Sequence, residues 1–157
     1  MLNDKKRREL LGLSLLALSV FTLLSLIPLS DNNGWFASGN IMGVLGRWFA
    51  AGAYGVFGIG ALSIPIIFAL TGSACFGWLA KETATHWSAL AVGLSLLAPA
   101  VAALFTRGIG PDLLQPAVAG WIGITLTTPL VALLGRVGGS LALGFFTVAV
   151  FIATIRW

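Results

Sequence analysis

Residues 41–80 form a run of 40 in which Arg47 is the only formal charge. One straight helix of that length would extend about 60 Å, twice the roughly 30 Å of a bilayer's hydrocarbon core. The run therefore has to break. The glycines at 52, 55, 58 and 60 mark the place, because glycine accepts backbone angles that a break demands. The sequence predicts a full span over residues 57–79, kinked at Pro65. It predicts a short helix over residues 41–56, lying at the outer leaflet or dipping into it as a re-entrant segment.

The rest of the chain divides by the same logic. Residues 10–29 are 20 uncharged residues, enough for one span of about 30 Å. Their basic flank resembles a secretory signal, but the apolar core is too long and no small-residue cleavage site follows, so a retained anchor is expected. The polar KETATH at 81–86 reads as a connector, and residues 87–106 as a third span carrying Pro99. Residues 113–155 make a second overlong apolar tract, interrupted by Pro116, Pro129 and Gly138-Gly139. It divides into a short helix over about 117–134 and a fourth span over about 137–155. The expected fold is an all-α membrane protein with four transmembrane helices plus two short interfacial or re-entrant helices. The bulk numbers agree: 58% of residues are hydrophobic and 9% charged, against about 45–50% and about 25% in soluble domains.

The two halves, about residues 9–80 and 86–157, align at an offset of 77. Gly43 and Gly46 fall on Gly120 and Gly123, Gly58 on Gly135, and Ser63 on Ser140. Each half would hold two full spans, so the expected arrangement is a parallel internal repeat within a single integral membrane domain of residues 1–157. Four spans put Lys5, Lys6, Arg7, Arg8, Lys81 and Arg156 on one side and Arg47, Arg107 and Arg136 on the other. By the positive-inside rule both termini are cytoplasmic. The net charge of +4 is concentrated in the opening DKKRREL, which abuts a span, so anionic lipid headgroups fit it better than nucleic acid. Arg47 and Arg136 lie near the two breaks, where long side chains can reach the outer headgroups.

Chemical motifs are sparse. None of the four predicted spans contains Asp, Glu, Lys or Arg, which argues against a proton-driven carrier. Gly72-Ser73-Ala74 is the nearest thing to a nucleophile turn and His86 the only histidine, a weak pairing for hydrolysis. The single Cys75 has no partner for a disulfide, the chain has no Cys/His cluster for a metal, and no P-loop motif is present. No catalytic residue, metal site or cofactor is therefore expected in this chain. What remains is glycine at helical spacing: Gly43 and Gly46 with Ala50 and Ala53, Gly120 with Gly123, and Gly135 with Gly139. Such positions let helix backbones approach closely. A small channel or carrier for a neutral solute, lined by serine, threonine and backbone, is the alternative function.

The order and spacing of these residues are familiar. A first span ending near Ser30 and Asn33 is followed by Asn40-x-x-Gly43-x-x-Gly46-x-Trp48-x-Ala50. Then come Phe57-Gly58-x-x-Ala61-x-x-x-Pro65, Gly120-x-x-Gly123 and Gly135-x-x-Gly138-Gly139. This pattern resembles the N-terminal four-span membrane domain of the FtsK/SpoIIIE DNA translocases, from about residue 8 to the end of the chain. The resemblance implies a multi-pass anchor in the bacterial cytoplasmic (inner) membrane at the division septum, coupling cell division to chromosome partition. It also implies a homo-oligomer, a hexamer in the family, with division proteins as partners. The ATP- and Mg-dependent motor that moves DNA would lie in a cytoplasmic part absent from these 157 residues, so DNA would be reached only through that part. The chain would then be a membrane domain cut from a longer protein rather than a stand-alone relative.

Overall fold

A computed structural model describes residues 4–27, 40–106 and 115–154, and among these every regular element is helical. Helix α1 (Asp4–Leu26) begins with an acidic residue in its first turn, where the partial positive charge of the helix N-terminus favours it. It takes the whole basic KKRR stretch into its first turns, six residues before the expected span start. Pro28, whose ring disfavours helix in the residue before it, follows closely. Residues 28–29 of the expected first span, the turn-like 30–34, the loop 107–112, Arg107 and Arg156 lie outside the described residues.

Helix α2 (Gly43–Phe57) passes into a 3-10 stretch (Gly58–Leu62) and then α3 (Ser63–Phe76). Gly58 has φ 53, the left-handed value that interrupts a regular helix. The 3-10 stretch carries the backbone across the interruption without a connector, so Gly43–Phe76 is one 34-residue apolar helical segment. Helix α5 (Gln115–Thr154) behaves alike: its backbone leaves helical angles at Gly120 (φ 60, ψ 174) and Gly135 (φ 69, ψ 178) but resumes on both sides. The two extra short helices expected over residues 41–56 and 117–134 are therefore not supported as separate elements. At the first break the residue before α3 is Leu62, which makes no side-chain cap hydrogen bond, and at the Gly135 break the adjacent polar residue is Arg136, whose side chain carries donors only and cannot cap helix N–H groups.

Polar composition misled in the opposite sense at KETATH. Helix α3 stops at Gly77, left-handed at φ 76, with the Gly77 N–H donating to the Ala74 carbonyl (3.2 Å) and Trp78 N–H to Ser73 (3.1 Å). This paired closure ends the helix and satisfies its last carbonyls. The connector is thus Gly77–Ala80, and KETATH is the first turn and a half of α4 (Lys81–Thr106). Among the described residues, four helical segments are long and apolar enough to cross a membrane: Asp4–Leu26, Gly43–Phe76, Lys81–Phe105 and Val118–Thr154.

The chain divides into two compact units, one of Met1–Ala50 with Leu62–Ala91, the other of Ala51–Ala61 with Val92–Trp157. In the first, α1 packs along α3. The buried face of α1 is small and hydroxylated: Gly12, Ser19, Thr22 and Ser25, with Leu26 at its end. In the second, the core gathers around about two turns of α4, where Ser95, Pro99, Ala100 and Ala103 are all buried.

Candidate functional site

Among the described residues no group of metal-ligating side chains gathers at one point, so the candidate site is the set of close helix contacts and the charged ends that position them. In the first unit, Asn40 ties α1 to α2. Its Nδ2 donates to the Ser25 carbonyl (2.7 Å), its Oδ1 accepts from the Met42 N–H (2.9 Å), and its carbonyl accepts from Gly43 N–H (2.9 Å). Gly43 takes φ 66 to start the helix, with open space around it. One turn on, Gly46 is buried. A Cβ there would stand 2.6 Å from Met42 Cβ and 3.0 Å from Ser25 Oγ. The Asn-x-x-Gly-x-x-Gly spacing is thus a clasp between the end of one helix and the start of the next. Ala50 continues the buried stripe of Gly46 down α2.

Farther along α1 the contacts are also glycine to side chain. A Cβ on Gly12 would meet the Phe76 ring at 2.9 Å, and one on Gly72 would meet Leu16 Cγ at 3.0 Å. The Ser19 hydroxyl donates to the Pro65 carbonyl at 2.7 Å while 8% exposed. A hydroxyl bonded across helices is a common adhesive where lipid supplies no hydrophobic drive for helix association. Pro65 itself is the third residue of α3, in the first turn, where a missing N–H costs nothing.

The second unit holds its helices by backbone against backbone. Gly58 and Gly120, both left-handed and both buried, face each other: a Cβ on Gly58 would lie 2.7 Å from the Gly120 nitrogen, and one on Gly120 would lie 2.8 Å from the Phe57 carbonyl carbon. Gly60 abuts Ser95, where a Cβ would be 2.9 Å from the carbonyl carbon. Pro99 has no N–H to offer the Ser95 carbonyl four residues earlier, which leaves that oxygen without its helical donor. Gly123 sits against Pro99, 2.6 Å from its carbonyl carbon by the same construction of a Cβ. Beside it, the Thr127 hydroxyl donates to Ala100 (3.0 Å) and Gly123 (2.7 Å) carbonyls with no exposure at all. Gly139 is buried with only ordinary contact to Val131, 3.6 Å away, and Gly135 has nothing within 4 Å.

The charged residues are surface features. Lys5, Lys6, Arg7 and Arg8 are exposed on the first turns of α1; Arg47 is exposed on α2, and Arg136 on α5 beside the Gly135 break. The Ser73 hydroxyl donates to its own helix at Ala69 (2.8 Å), and the His86 Nδ1 lies 2.6 Å from the Glu82 carbonyl one turn back. No hydrogen bond joins Ser73 to His86 among the described residues. Nor do the described residues contain a group of three or more His, Cys, Asp or Glu side chains that could hold a metal ion. Reading by glycines alone missed the hydroxyls of Ser19 and Thr127 and the role of Asn40. The spacing of Ser19, Thr22 and Ser25 on one helix face was the available signal.

No solved structure matches the chain. A family model described as the 4TM region of DNA translocase FtsK/SpoIIIE matches residues 4–157, essentially end to end. The match takes in the Asn40 clasp, the Gly58–Gly120 crossing and the Pro99 turn alike, and the chain belongs to the family of four-transmembrane regions of the FtsK/SpoIIIE DNA translocases.

Proposed function

We propose that this chain anchors a bacterial DNA translocase in the inner membrane at the division septum and supports assembly of the division machinery. The observation that carries the reading is the family match across residues 4–157. The polypeptide itself supplies membrane embedding and surface shape, while ATP, Mg and DNA belong to a motor outside these residues. Both termini face the cytoplasm, in keeping with the lysines and arginines at the start of α1 and α4. The domain is a parallel duplication. Gly43 and Gly120, and Gly58 and Gly135, each 77 apart, all adopt positive φ, which supports that origin. The buried glycines serve folding, and the open ones on α2, Gly52 and Gly55, remain for contact between copies or with division proteins.

The test has two parts. A fluorescent fusion of the chain in dividing cells should gather at midcell, and uniform envelope fluorescence would defeat the septal reading. In a Cys75→Ala background, Val44→Cys and Val137→Cys, 64% and 75% exposed, should react with an impermeant thiol reagent only from the outside. Labelling from the cytoplasm would defeat the four-span orientation.

A further inference from the structure

Where the start of α1, the end of α3 and the start of α4 come together in the first unit, they enclose a cleft of about 510 Å³. Two cations line it, Arg8 from α1 and Lys81 from α4, and no carboxylate does among the described residues. Neither cation has an ion-pair partner among the described residues. Inside the cleft the Ser88 hydroxyl is buried and has no hydrogen-bond partner among the described residues, whereas the buried Ser19, Thr22, Ser95 and Thr127 hydroxyls are bonded to backbone. Such an orphan is costly unless something occupies the space beside it. The Thr71 and Thr85 hydroxyls give their protons to Ile67 and Lys81 carbonyls and keep acceptor capacity only. Ala74, Cys75 and Ala84 supply apolar wall.

We propose that this cleft holds the headgroup of one anionic phospholipid. Arg8 and Lys81 clasp its phosphate, the Ser88 hydroxyl donates to a phosphate or glycerol oxygen, and the acyl chains leave along the alanine wall. The shape of the site selects an amphiphile over free phosphate, because cations and apolar wall occur in the same cleft. Its position agrees, since the cleft lies at the ends of three membrane-crossing segments, at headgroup level. A basic pocket between helix ends is a known way for a membrane protein to hold a particular lipid, distinct from the diffuse attraction of a polybasic segment. Lys5 and Lys6, which do not line the cleft, provide that diffuse attraction and serve as its internal control. The proposal rests on membrane embedding and not on the septal role, so either can fail alone.

The experiment is native mass spectrometry of the chain released from phosphatidylcholine nanodiscs containing a minor share of phosphatidylglycerol. The expected result is one retained phosphatidylglycerol per chain. Retention should fall about tenfold in the Arg8→Gln, Lys81→Gln double variant, as loss of two charge-assisted contacts implies. Lys5→Gln with Lys6→Gln should leave it unchanged, Arg8→Lys with Lys81→Arg should restore it, and Ser88→Ala should lower it severalfold at an unaltered thermal midpoint. Equal loss in the two glutamine pairs would overturn the site in favour of bulk charge. So would full retention in the Arg8, Lys81 pair. Inorganic phosphate bound by the chain in pure phosphatidylcholine nanodiscs, without retained phosphatidylglycerol in the mixed ones, would overturn the lipid assignment.

Discussion

The two units of the molecule use the same residue, glycine, against different neighbours. In the first, Gly12 and Gly46 lie against side chains, and Gly72 chiefly against one: a phenylalanine ring, the Met42 and Ser25 side chains, a leucine. In the second, Gly58, Gly60, Gly120 and Gly123 lie against carbonyls and amides of another helix. A side chain can rotate by a few tenths of an ångström to admit a methyl group, whereas a helix backbone moves only if the whole helix moves. The same small-residue signature in sequence therefore encodes two grades of constraint, a forgiving one around α1 and a strict one around the Pro99 turn.

The sharpest way to break this contrast is to enlarge one glycine in each unit at matching repeat positions. Gly123→Leu should cost more than about 5 kcal/mol and leave no monodisperse protein in detergent, because the Pro99 backbone cannot yield. Gly46→Leu should cost about half as much, and equal losses by size-exclusion yield and thermal midpoint would erase the distinction. Next, Gly58→Ala combines a left-handed backbone with a backbone clash and should cost about 3–5 kcal/mol, while Gly135→Ala, equally left-handed but in open space, should cost only about 1–2 kcal/mol. If the two midpoints fall together, the crossing at Gly58 is looser than its geometry indicates.

Smaller effects sharpen the comparison further. Thr127→Val removes a bond between helices and should cost about 0.5–1.5 kcal/mol, whereas Thr125→Val, which loses only a bond to its own helix at Trp121, should be near neutral. Gly52→Ala should raise the midpoint by the equivalent of about 0.5–1 kcal/mol, since the position is helical, not left-handed, and has no atom within 4 Å. A fall at Gly52 would mean that another surface already occupies that space.

Much of the fold was legible because apolar length alone sets the number of spans. The break at Gly58 was legible from the glycine cluster, and the one at Gly135 from its register with Gly58. The boundaries were harder. Composition cannot tell a polar connector from the polar first turns of a helix, and KETATH became helix because Gly77 had already supplied the stop. Nor can composition show whether a left-handed glycine ends a helix or only bends it, and at both breaks the apolar backbone resumed its hydrogen bonding. Of the candidate site, the glycine positions could be named from spacing, but not their neighbours. The Thr127–Ala100 bond and the Gly60–Ser95 contact pair residues 27 and 35 apart, a separation that no local pattern records.

The Asn40 clasp has a consequence for what can be inserted into this chain. By tying the backbone at Ser25 to the start of α2, it fixes both ends of the segment that joins them, whatever lies in between. Lengthening a segment whose ends are already held is cheap, about 0.6 kcal/mol for each doubling. An insertion between Leu26 and Asn40 should therefore cost little while the Asn40 to Ser25 bond holds, and Asn40→Ala should make the same insertion more disruptive.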